Sequence, residues 1–452
     1  MASLGRNRAR LFFCADYDEV VGWAEMIVEV IDQERMPPWH ADPSIGKFIG
    51  ARGVPKTQRD KIARWIANGM PKGNVADSPP KPKFSSGWHL ETNPDLEIAM
   101  RERPFIVPAD GIVEYQYFVV DPKWTKDRWV RAAQVIPGDA SVVHHAIVFV
   151  RPPDGQASFG IGWLGAYVPG QRTIPLPLDH ARRIPAGSKL VFQMHYTPTG
   201  VSTSDRTRLG VWFSDADSIK NQVTTHIALN HEFEIPPGDD AFEVRLSSKS
   251  FPRHGKLLGI TPHMHFRGKS FRLFASKLGD VATDDVSGGQ SRGERTEEWL
   301  RVPRYDFNWQ HWYAFQVPRD LNDVESLEMR VEFDNSWTNP FNPDASEYVS
   351  WGDQTWEEMA VAFFDVATPR DKPLHRIRSI ANPSKAVLSK MRARGEERAD
   401  KFFEEMDLNR DGIVERDETP DTFRRFGFHR MDHNHDRRIT RDEVLEEAST
   451  RD

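Results

Sequence analysis

Three histidine patterns in the sequence could place imidazoles around a metal ion. His144 and His145 are adjacent inside an apolar run, His195 ends another apolar run, and His263 and His265 form a His-x-His pair. Alternate side chains of a strand share one face, so the His-x-His pair suits one ion. Adjacent histidines point to opposite faces unless the strand ends or bulges there. Taken alone, each pattern is also typical of ordinary core and surface histidines.

A methionine after a polar loop offers a ligand of a different kind. Met359 follows the sequence Thr-Trp-Glu-Glu and begins an apolar run that extends to Val366. A thioether is a soft ligand for a metal ion. Most methionines fill space in a core, however, so Met359 alone does not indicate a metal site.

Two acidic segments near the C-terminus match the calcium-loop template, with oxygen ligands at positions 1, 3, 5 and 12 and a backbone carbonyl at position 7. The first loop offers Asp407, Asn409, Asp411, Ile413 and Glu418, and the second offers Asp432, Asn434, Asp436, Arg438 and Glu443. Position 6 is Gly412 in the first loop but Arg437 in the second, so we expect weaker binding by the second. Their close spacing indicates a compact, dockerin-like pair that binds calcium for stability.

The elements that must position these residues are mainly strands. Periodic apolar residues predict helices over 17–35 and 58–68, the second opened by a capping-box-like start at Thr57, and a linker follows over 71–86. Short β-branched runs with turn residues between them predict strands from about 88 to 368. They are Gly111–Val120, Trp129–Ile136, Val142–Val150, Leu190–Tyr196, Phe242–Leu246, Leu257–Ile260, Leu327–Phe333 and Met359–Val366.

The predicted fold class is therefore mainly β, with two tandem jelly-roll-like β-sandwich domains, a small helical N-terminal segment and a C-terminal α-helical EF-hand module. The boundaries fall at 1–86 for the helical segment and linker, 87–220 and 221–370 for the sandwiches, 371–394 for a linker or helix, and 395–452 for the EF-hand pair. A highly charged helix is expected over 383–406.

Composition excludes several classes of protein. The 452 residues carry 60 Lys and Arg against 67 Asp and Glu, a net charge of −7, which argues against a nucleic-acid partner. The single cysteine, Cys14, excludes internal disulfides, a cysteine-rich zinc site and a C-x-x-C-H haem attachment. No apolar run approaches the roughly 20 residues of a membrane span. The apolar core of the N-terminus is too short for a convincing signal peptide.

The order of the metal-binding residues resembles that of the copper type II, ascorbate-dependent monooxygenases, the relatives of peptidylglycine α-hydroxylating and dopamine β-monooxygenase. The sequence is similar to a bacterial, planctomycete-type branch, and the resemblance covers roughly residues 88–368. The matching stretches are GIVEYQYFVV, RWVRAAQVIPGDASVVHHAIVFV, RRIPAGSKLVFQMHYTPTG, PHMHFRGKSF, YDFNWQ and WGDQTWEEM.

The resemblance implies two mononuclear copper sites and a role for each ligand. His144, His145 and His195 would hold the electron-transferring copper, and His263, His265 and Met359 the copper that binds O2 and is catalytic. The expected cofactors are two copper ions, calcium, and ascorbate or another one-electron donor, including an electron-donor protein. The expected partners are O2 and an organic substrate of unknown identity, with substrate between the two domains.

The chain departs from the family in two respects. Animal relatives are rich in disulfides, whereas these two domains must be held by packing alone. The segment around Met36 resembles the distal part of a c-type cytochrome, in which Met36 would be an axial haem ligand. Because the attachment cysteines are missing, we expect no covalent haem in this chain and a start that lies inside such a domain. A two-helix packing cap is the simpler interpretation.

The leading hypothesis is a copper-dependent monooxygenase that hydroxylates a C–H bond with O2 and an external one-electron reductant, located outside the cytoplasm as its relatives are. One alternative is a secreted, calcium-stabilised binding or adhesion protein with non-catalytic sandwiches. Another is a jelly-roll oxygenase with one metal at His263 and His265, which a carboxylate beside those two histidines would favour.

Overall fold

A computed structural model describes most of the chain. The described residues are 16–78, 87–111, 113, 115–153, 156, 159–284, 290–352, 355–374, 396, 399–400, 402–404, 406–419, 423–424, 428–432 and 436–450. The chain divides into two compact units, Met1–Ile377 and Arg378–Asp452. Cys14, half of the predicted 71–86 linker, most of the predicted 371–394 linker, most of the predicted 383–406 helix and Asn434 lie outside the described residues.

The N-terminal part is helical, as expected, but its first helix is interrupted. The helices are α1 (Tyr17–Gly22), α2 (Ala24–Asp32) and α3 (Lys56–Ala67). Trp23 separates α1 from α2, and α2 ends at Asp32, before the expected end of the 17–35 helix. The expected capping box at Thr57 is wrong, because α3 starts after Pro55 with no side-chain cap. Tyr17 and Trp65 meet edge to face, with ring centroids 6.5 Å apart.

Twenty strands follow among the described residues of the first unit, which is mainly β as predicted. They are β1 (Leu96–Ala99), β2 (Phe105–Val107), β3 (Gln116–Val120), β4 (Arg128–Ile136), β5 (Val143–Arg151), β6 (Trp163–Tyr167), β7 (His180–Ile184), β8 (Lys189–Tyr196), β9 (Thr203–Asp205), β10 (Arg208–Phe213), β11 (Asn221–Asn230), β12 (Glu234–Ile235), β13 (Phe242–Ser248), β14 (Lys256–His263), β15 (Gly268–Asp284), β16 (Gln290–Val302), β17 (Tyr313–Asp320), β18 (Val324–Phe333), β19 (Val349–Ser350) and β20 (Ala360–Pro369).

One eight-stranded sheet runs through both halves of this unit, in the order β1-β10-β4-β7-β11-β20-β14-β17. Its two halves meet where β7 pairs in parallel with β11, with Asn221 opposite His180 and Gln222 opposite Ala181. The sequence divided the sandwiches near this point but did not predict a shared sheet.

Each half adds a four-stranded sheet and has its own apolar core. The sheet β3-β8-β5-β6 covers the first half, and β13-β18-β15-β16 covers the second. Val148, Phe192 and Leu209 belong to the first core, and Leu273 and Phe364 to the second. Both cores combine alternate residues of facing sheets, which is the arrangement of a two-layer sandwich.

Buried polar contacts also join the halves, so packing alone does not hold them together. Arg182 on β7 forms an ion pair with Asp365 on β20, with 2.8 Å between Nη2 and Oδ2, and donates to the Thr225 hydroxyl at 2.8 Å. The Thr225 hydroxyl in turn donates to Asp365. The carboxylate therefore has two donors in an environment where an unpaired charge would be costly.

The chain between α2 and α3 packs onto the second half. Lys47 and Ile49 form backbone hydrogen bonds along β17, and Phe48 joins the second core. The ring of Trp39 lies 5.2 Å from that of Tyr313. This supports the packing interpretation of the N-terminal segment. Among the described residues, none of the helices combines the length and apolarity needed to cross a bilayer.

The second unit contains a short antiparallel ribbon of β21 (Ile413–Glu415) and β22 (Arg438–Thr440), with Val414 opposite Ile439. The helices α4 (Phe428–Met431) and α5 (Arg441–Thr450) accompany the ribbon. A small core of Ala399, Val414, Phe428, Ile439 and Val444 holds this unit together.

Candidate metal centre

The first histidine cluster depends on a bulge in β5. The pairing of β5 with β8 shifts register between Val143 and His145, and His145 then lies opposite His195. Because the bulge adds one residue to β5, His144 turns to the same side as His145. A regular strand would have placed the adjacent pair on opposite faces.

The three imidazoles of this cluster can reach one ion. Ligand atoms of His144, His145 and His195 all lie within 4.8 Å of one another. Imidazole nitrogens lie about 2 Å from a bound transition metal, so this spread is close to what one ion requires. The Nδ1 atoms of His144 and His145 are 3.2 Å apart, and the buried Nδ1 of His195 has no partner in the described part of the chain. Nδ1 of His195 is therefore a ring nitrogen that the described residues leave available to an ion.

Tyr115 supports the cluster from behind. Its ring stacks on His195 with centroids 4.8 Å apart, and its hydroxyl lies 3.4 Å from Nε2 of His145. Burial, followed by the neighbouring His263, lowers the pKa of His144 to about 4. Burial and then His144 and His263 lower the pKa of His195 to about 3. Both imidazoles are thus neutral near pH 7, the state that binds metal.

The second pair, His263 and His265, lies at the end of β14, with ring centroids 5.3 Å apart. Nδ1 of His263 donates to Oε1 of Gln310 at 2.7 Å, and Nδ1 of His265 donates to the Glu357 carbonyl at 3.0 Å. Burial is the main cause that lowers the pKa of both histidines. With each Nδ1 occupied, the lone pairs available to an ion are those of Nε2.

The orientation of the Gln310 amide is fixed by its own backbone neighbour. Its Nε2 donates to the Phe307 carbonyl at 3.3 Å, so its Oε1 must face His263. An oxygen there accepts a hydrogen bond from the N–H at Nδ1 of His263. A hydrogen bond to one ring nitrogen fixes which nitrogen can bind metal.

Met359 lies directly before β20, whose Val361 pairs with His263. The preceding carboxylate, Glu358, is completely buried and accepts hydrogen bonds from the backbone N–H groups of His265 at 2.7 Å, Arg267 at 2.6 Å and Met359 at 3.3 Å. Burial raises the pKa of Glu358 to about 8 even though these donors lower it. Glu358 therefore holds the backbones of His265 and Met359 side by side.

The two clusters lie close to each other. Phe307 stacks on His144 with ring centroids 5.0 Å apart, and its edge meets His265 at 5.8 Å. His263 also lowers the pKa of His144 and His195 after burial, which requires a short separation. The structure thus brings His144, His145 and His195 together as one group, with His263 and His265 as a neighbouring pair.

The described parts of the two acidic loops of the second unit have corresponding hydrogen bonds. In the first, the Asp407 carboxylate accepts from the Asp411 and Gly412 N–H groups, and Glu418 accepts from the Asn409 and Glu415 N–H groups. In the second, Asp432 accepts from the Asp436 and Arg437 N–H groups, and Glu443 accepts from Thr440. The position-7 residues, Ile413 and Arg438, lie on the ribbon β21–β22.

Several residues around the histidines were not identified from the sequence alone. Tyr115, Phe307, Gln310 and Glu358 contact the ligands or their backbones, but residues of these types are common in cores. All four fall within the stretches EYQYFVV, YDFNWQ and TWEEM, which carried the family resemblance. That is the signal by which they could have been found.

Comparisons with known proteins add little. No family model and no curated protein matches the chain. Among solved structures, the chain is similar to that of Broad Bean Stain Virus, with 9% identity, a TM-score of 0.27, and coverage of 68% of this chain and 97% of the other. The chain is also similar to the structure of the STIV MCP, with 10% identity, a TM-score of 0.24, and coverage of 62% of this chain and 96% of the other. These scores are too low to assign a family or a function.

Proposed function

We propose that the protein is a copper-dependent monooxygenase with two copper sites, which hydroxylates a C–H bond of an organic substrate with O2 and electrons from an external one-electron donor. The observation that carries this proposal is the cluster of His144, His145 and His195, whose ligand atoms lie within 4.8 Å of one another, next to the pair His263 and His265.

The residues present fit copper. The buried Nδ1 of His195 has no partner among the described residues, which is a costly feature in a folded chain, and a bound ion would satisfy it. Imidazoles suit both oxidation states of copper, and the thioether of Met359 would favour Cu(I) in the second site. His144, His145 and His195 would hold one ion, and His263, His265 and Met359 the other.

The two ions would supply one-electron chemistry and activation of dioxygen. The chain's own residues prepare for it. Burial lowers the pKa of all five histidines and so keeps their imidazoles neutral, and Gln310 and the Glu357 carbonyl set the tautomers of His263 and His265. The buried ring of Phe307 lies against both clusters.

A one-metal oxygenase is less well supported. Such a site needs a carboxylate beside His263 and His265. The buried carboxylate of Glu358 is near, but each of its oxygens accepts from backbone N–H groups. It is therefore engaged with the backbone and does not face the imidazoles as a free ligand.

Reductant-dependent O2 consumption by the copper-loaded full-length chain tests the proposal, because it does not require the substrate to be known. We expect ascorbate to sustain O2 consumption, and His263→Ala to abolish it. A copper-loaded chain that consumes no O2 above the level of His263→Ala would refute the enzymatic proposal and favour the adhesion alternative.

We also propose that the two acidic loops form an EF-hand pair that binds calcium. Gly412 and Arg437 both adopt a positive φ, of 83° and 71°. This conformation costs a non-glycine residue about 1–2 kcal/mol. We therefore expect the loop 407–418 to bind more tightly than 432–443, in the range of about 10⁻⁴–10⁻³ M that is typical of extracellular modules.

Calcium titration of the full-length chain by calorimetry, with Asp407→Ala and Asp432→Ala as the matched pair, checks this order. The tighter binding event should disappear in Asp407→Ala and persist in Asp432→Ala. The reverse pattern would contradict the argument from the turn residues.

A further inference from the structure

The segment Tyr305–Gln310 contacts both histidine clusters, although its sequence, YDFNWQ, carries no ligand. The Tyr305 hydroxyl bonds to the backbone N and O of Met264, at 3.2 and 2.9 Å, and so fixes the residue between His263 and His265. Gln310 at the other end orients His263. Between these anchors, Phe307 reaches the first cluster.

The Phe307 ring belongs to the second half of the chain but stacks on a histidine of the first. Its plane is inclined by 23° to that of His144 and by 82° to that of His265. Because one ring touches both imidazoles, their centroids are no further apart than the sum of 5.0 and 5.8 Å. Phe307 is 7% exposed, so the contact is shielded from water.

Phe307 is itself held firmly. Its ring meets that of Phe266 edge to face at 5.1 Å, and its carbonyl accepts from Nε2 of Gln310. The ring therefore cannot turn away from His144 without breaking contacts in the second half. Packing of this kind transmits a change at one site to its neighbour.

We propose that Phe307 is a positioning residue that fixes the two clusters relative to each other, so that the geometry of an ion at His144, His145 and His195 depends on a side chain from the other half. This inference rests on the proposed function, which supplies the copper ions.

Full-length protein loaded with Cu(II) alone, with no substrate or reductant, tests the inference by electron paramagnetic resonance. Phe307→Leu keeps most of the apolar volume but removes the flat face against His144. We expect altered copper hyperfine splitting at the first site, a broader distribution of copper–copper distances, and a first-site affinity about 10-fold weaker. No ligand of that site has been changed, so a role confined to the second half does not predict these effects.

Phe315→Leu is the matched control, because Phe315 is a buried ring of the second half that makes no ring contact with Phe307 or with a histidine among the described residues. It should leave the spectrum of the first site as in the wild type, and circular dichroism verifies that both variants fold. The inference is overturned if Phe307→Leu has a wild-type spectrum and distance distribution, or if Phe315→Leu changes them equally.

Cu(II) titration of the full-length wild-type chain and of Phe307→Leu distinguishes a failure of this inference from a failure of the proposed function. A wild-type chain that binds no Cu(II) overturns both. A wild-type chain that binds two ions, with Phe307→Leu indistinguishable from it, overturns only the role of Phe307.

Discussion

The two histidine clusters use the same ligand type but present different nitrogens. In the first, Nδ1 of His144 and of His145 face each other across 3.2 Å, and Nδ1 of His195 has no partner among the described residues. In the second, Gln310 and the Glu357 carbonyl occupy Nδ1 of His263 and His265. The comparison shows that the neighbours of an imidazole determine which of its nitrogens is available to an ion.

The clusters also differ in how tightly their surroundings hold them. In the second pair, Gln310 and the Glu357 carbonyl accept hydrogen bonds from the two imidazoles, and the Glu358 carboxylate accepts one from the His265 backbone. The first has a ring stack and one long contact from the Tyr115 hydroxyl. We therefore expect substitutions around the second pair to have larger effects than comparable substitutions around the first.

The largest effect is expected from loss of a ligand. His145→Ala should remove copper from the first site and leave the second site occupied, because the two sites share no ligand. Structural zinc sites bind with about 10–16 kcal/mol over four ligands, so one ligand carries roughly 3 kcal/mol and its loss weakens binding about 100-fold. Metal analysis after dialysis measures this. If both ions are lost together, the two clusters are not independent sites.

Met359→Leu should change which oxidation state of copper is preferred at the second site and leave the first site unchanged. The change nearly conserves volume and should cost less than about 1.5 kcal/mol of stability, measured by chemical denaturation. The second site should lose its preference for Cu(I), and reductant-dependent O2 consumption should fall by orders of magnitude. Two coppers with wild-type O2 consumption would show that Met359 only fills the core.

Gln310→Leu removes the oxygen that accepts the hydrogen bond from Nδ1 of His263. The ring proton of His263 is then no longer held on Nδ1. Loss of such a partner usually weakens metal binding or activity by about 10–100-fold. The effect should be confined to the second site, and Gln310→Glu, which keeps an acceptor oxygen, should retain most of the affinity. Copper titration with competing chelators measures both variants. Equal losses of copper affinity in Gln310→Leu and Gln310→Glu would indicate a packing effect instead.

Tyr115→Phe should have the smallest effect. The stack on His195 remains, and the lost contact to His145 is long, so we expect about 0.5 kcal/mol, or roughly a twofold change in first-site affinity. The same copper titration applies. A loss as large as that of Gln310→Leu would contradict the view that the first cluster is the more loosely supported one.

Local sequence patterns predicted eight of the twenty strands described in the first unit but not how they assemble. The run Trp129–Ile136 became β4 at Arg128–Ile136, and Phe242–Leu246 became β13. The run from Gly111 was too long, since β3 begins at Gln116. The parallel pairing of β7 with β11 joins residues about forty positions apart through two backbone pairs. Apolar periodicity does not encode such a pairing, because it reports which face is buried but not the neighbouring strand.

The candidate site was predictable to a similar degree. The adjacent histidines can share an ion only if their strand ends or bulges at that point. The sequence does not show where the bulge lies, because its position depends on the register with β8. The partners of the ring nitrogens, such as Gln310, depend on how the segment 305–310 folds across β14. Asn434 lies outside the described residues, so the second calcium loop is described only in part.

The copper content of the reconstituted full-length chain, measured by metal analysis after removal of loosely bound ions, tests the central claim most directly. The account predicts two coppers per chain in the wild type, one in His145→Ala and one in the double variant His263→Ala/His265→Ala. One copper or none in the wild type, or the same content in all three proteins, would contradict it.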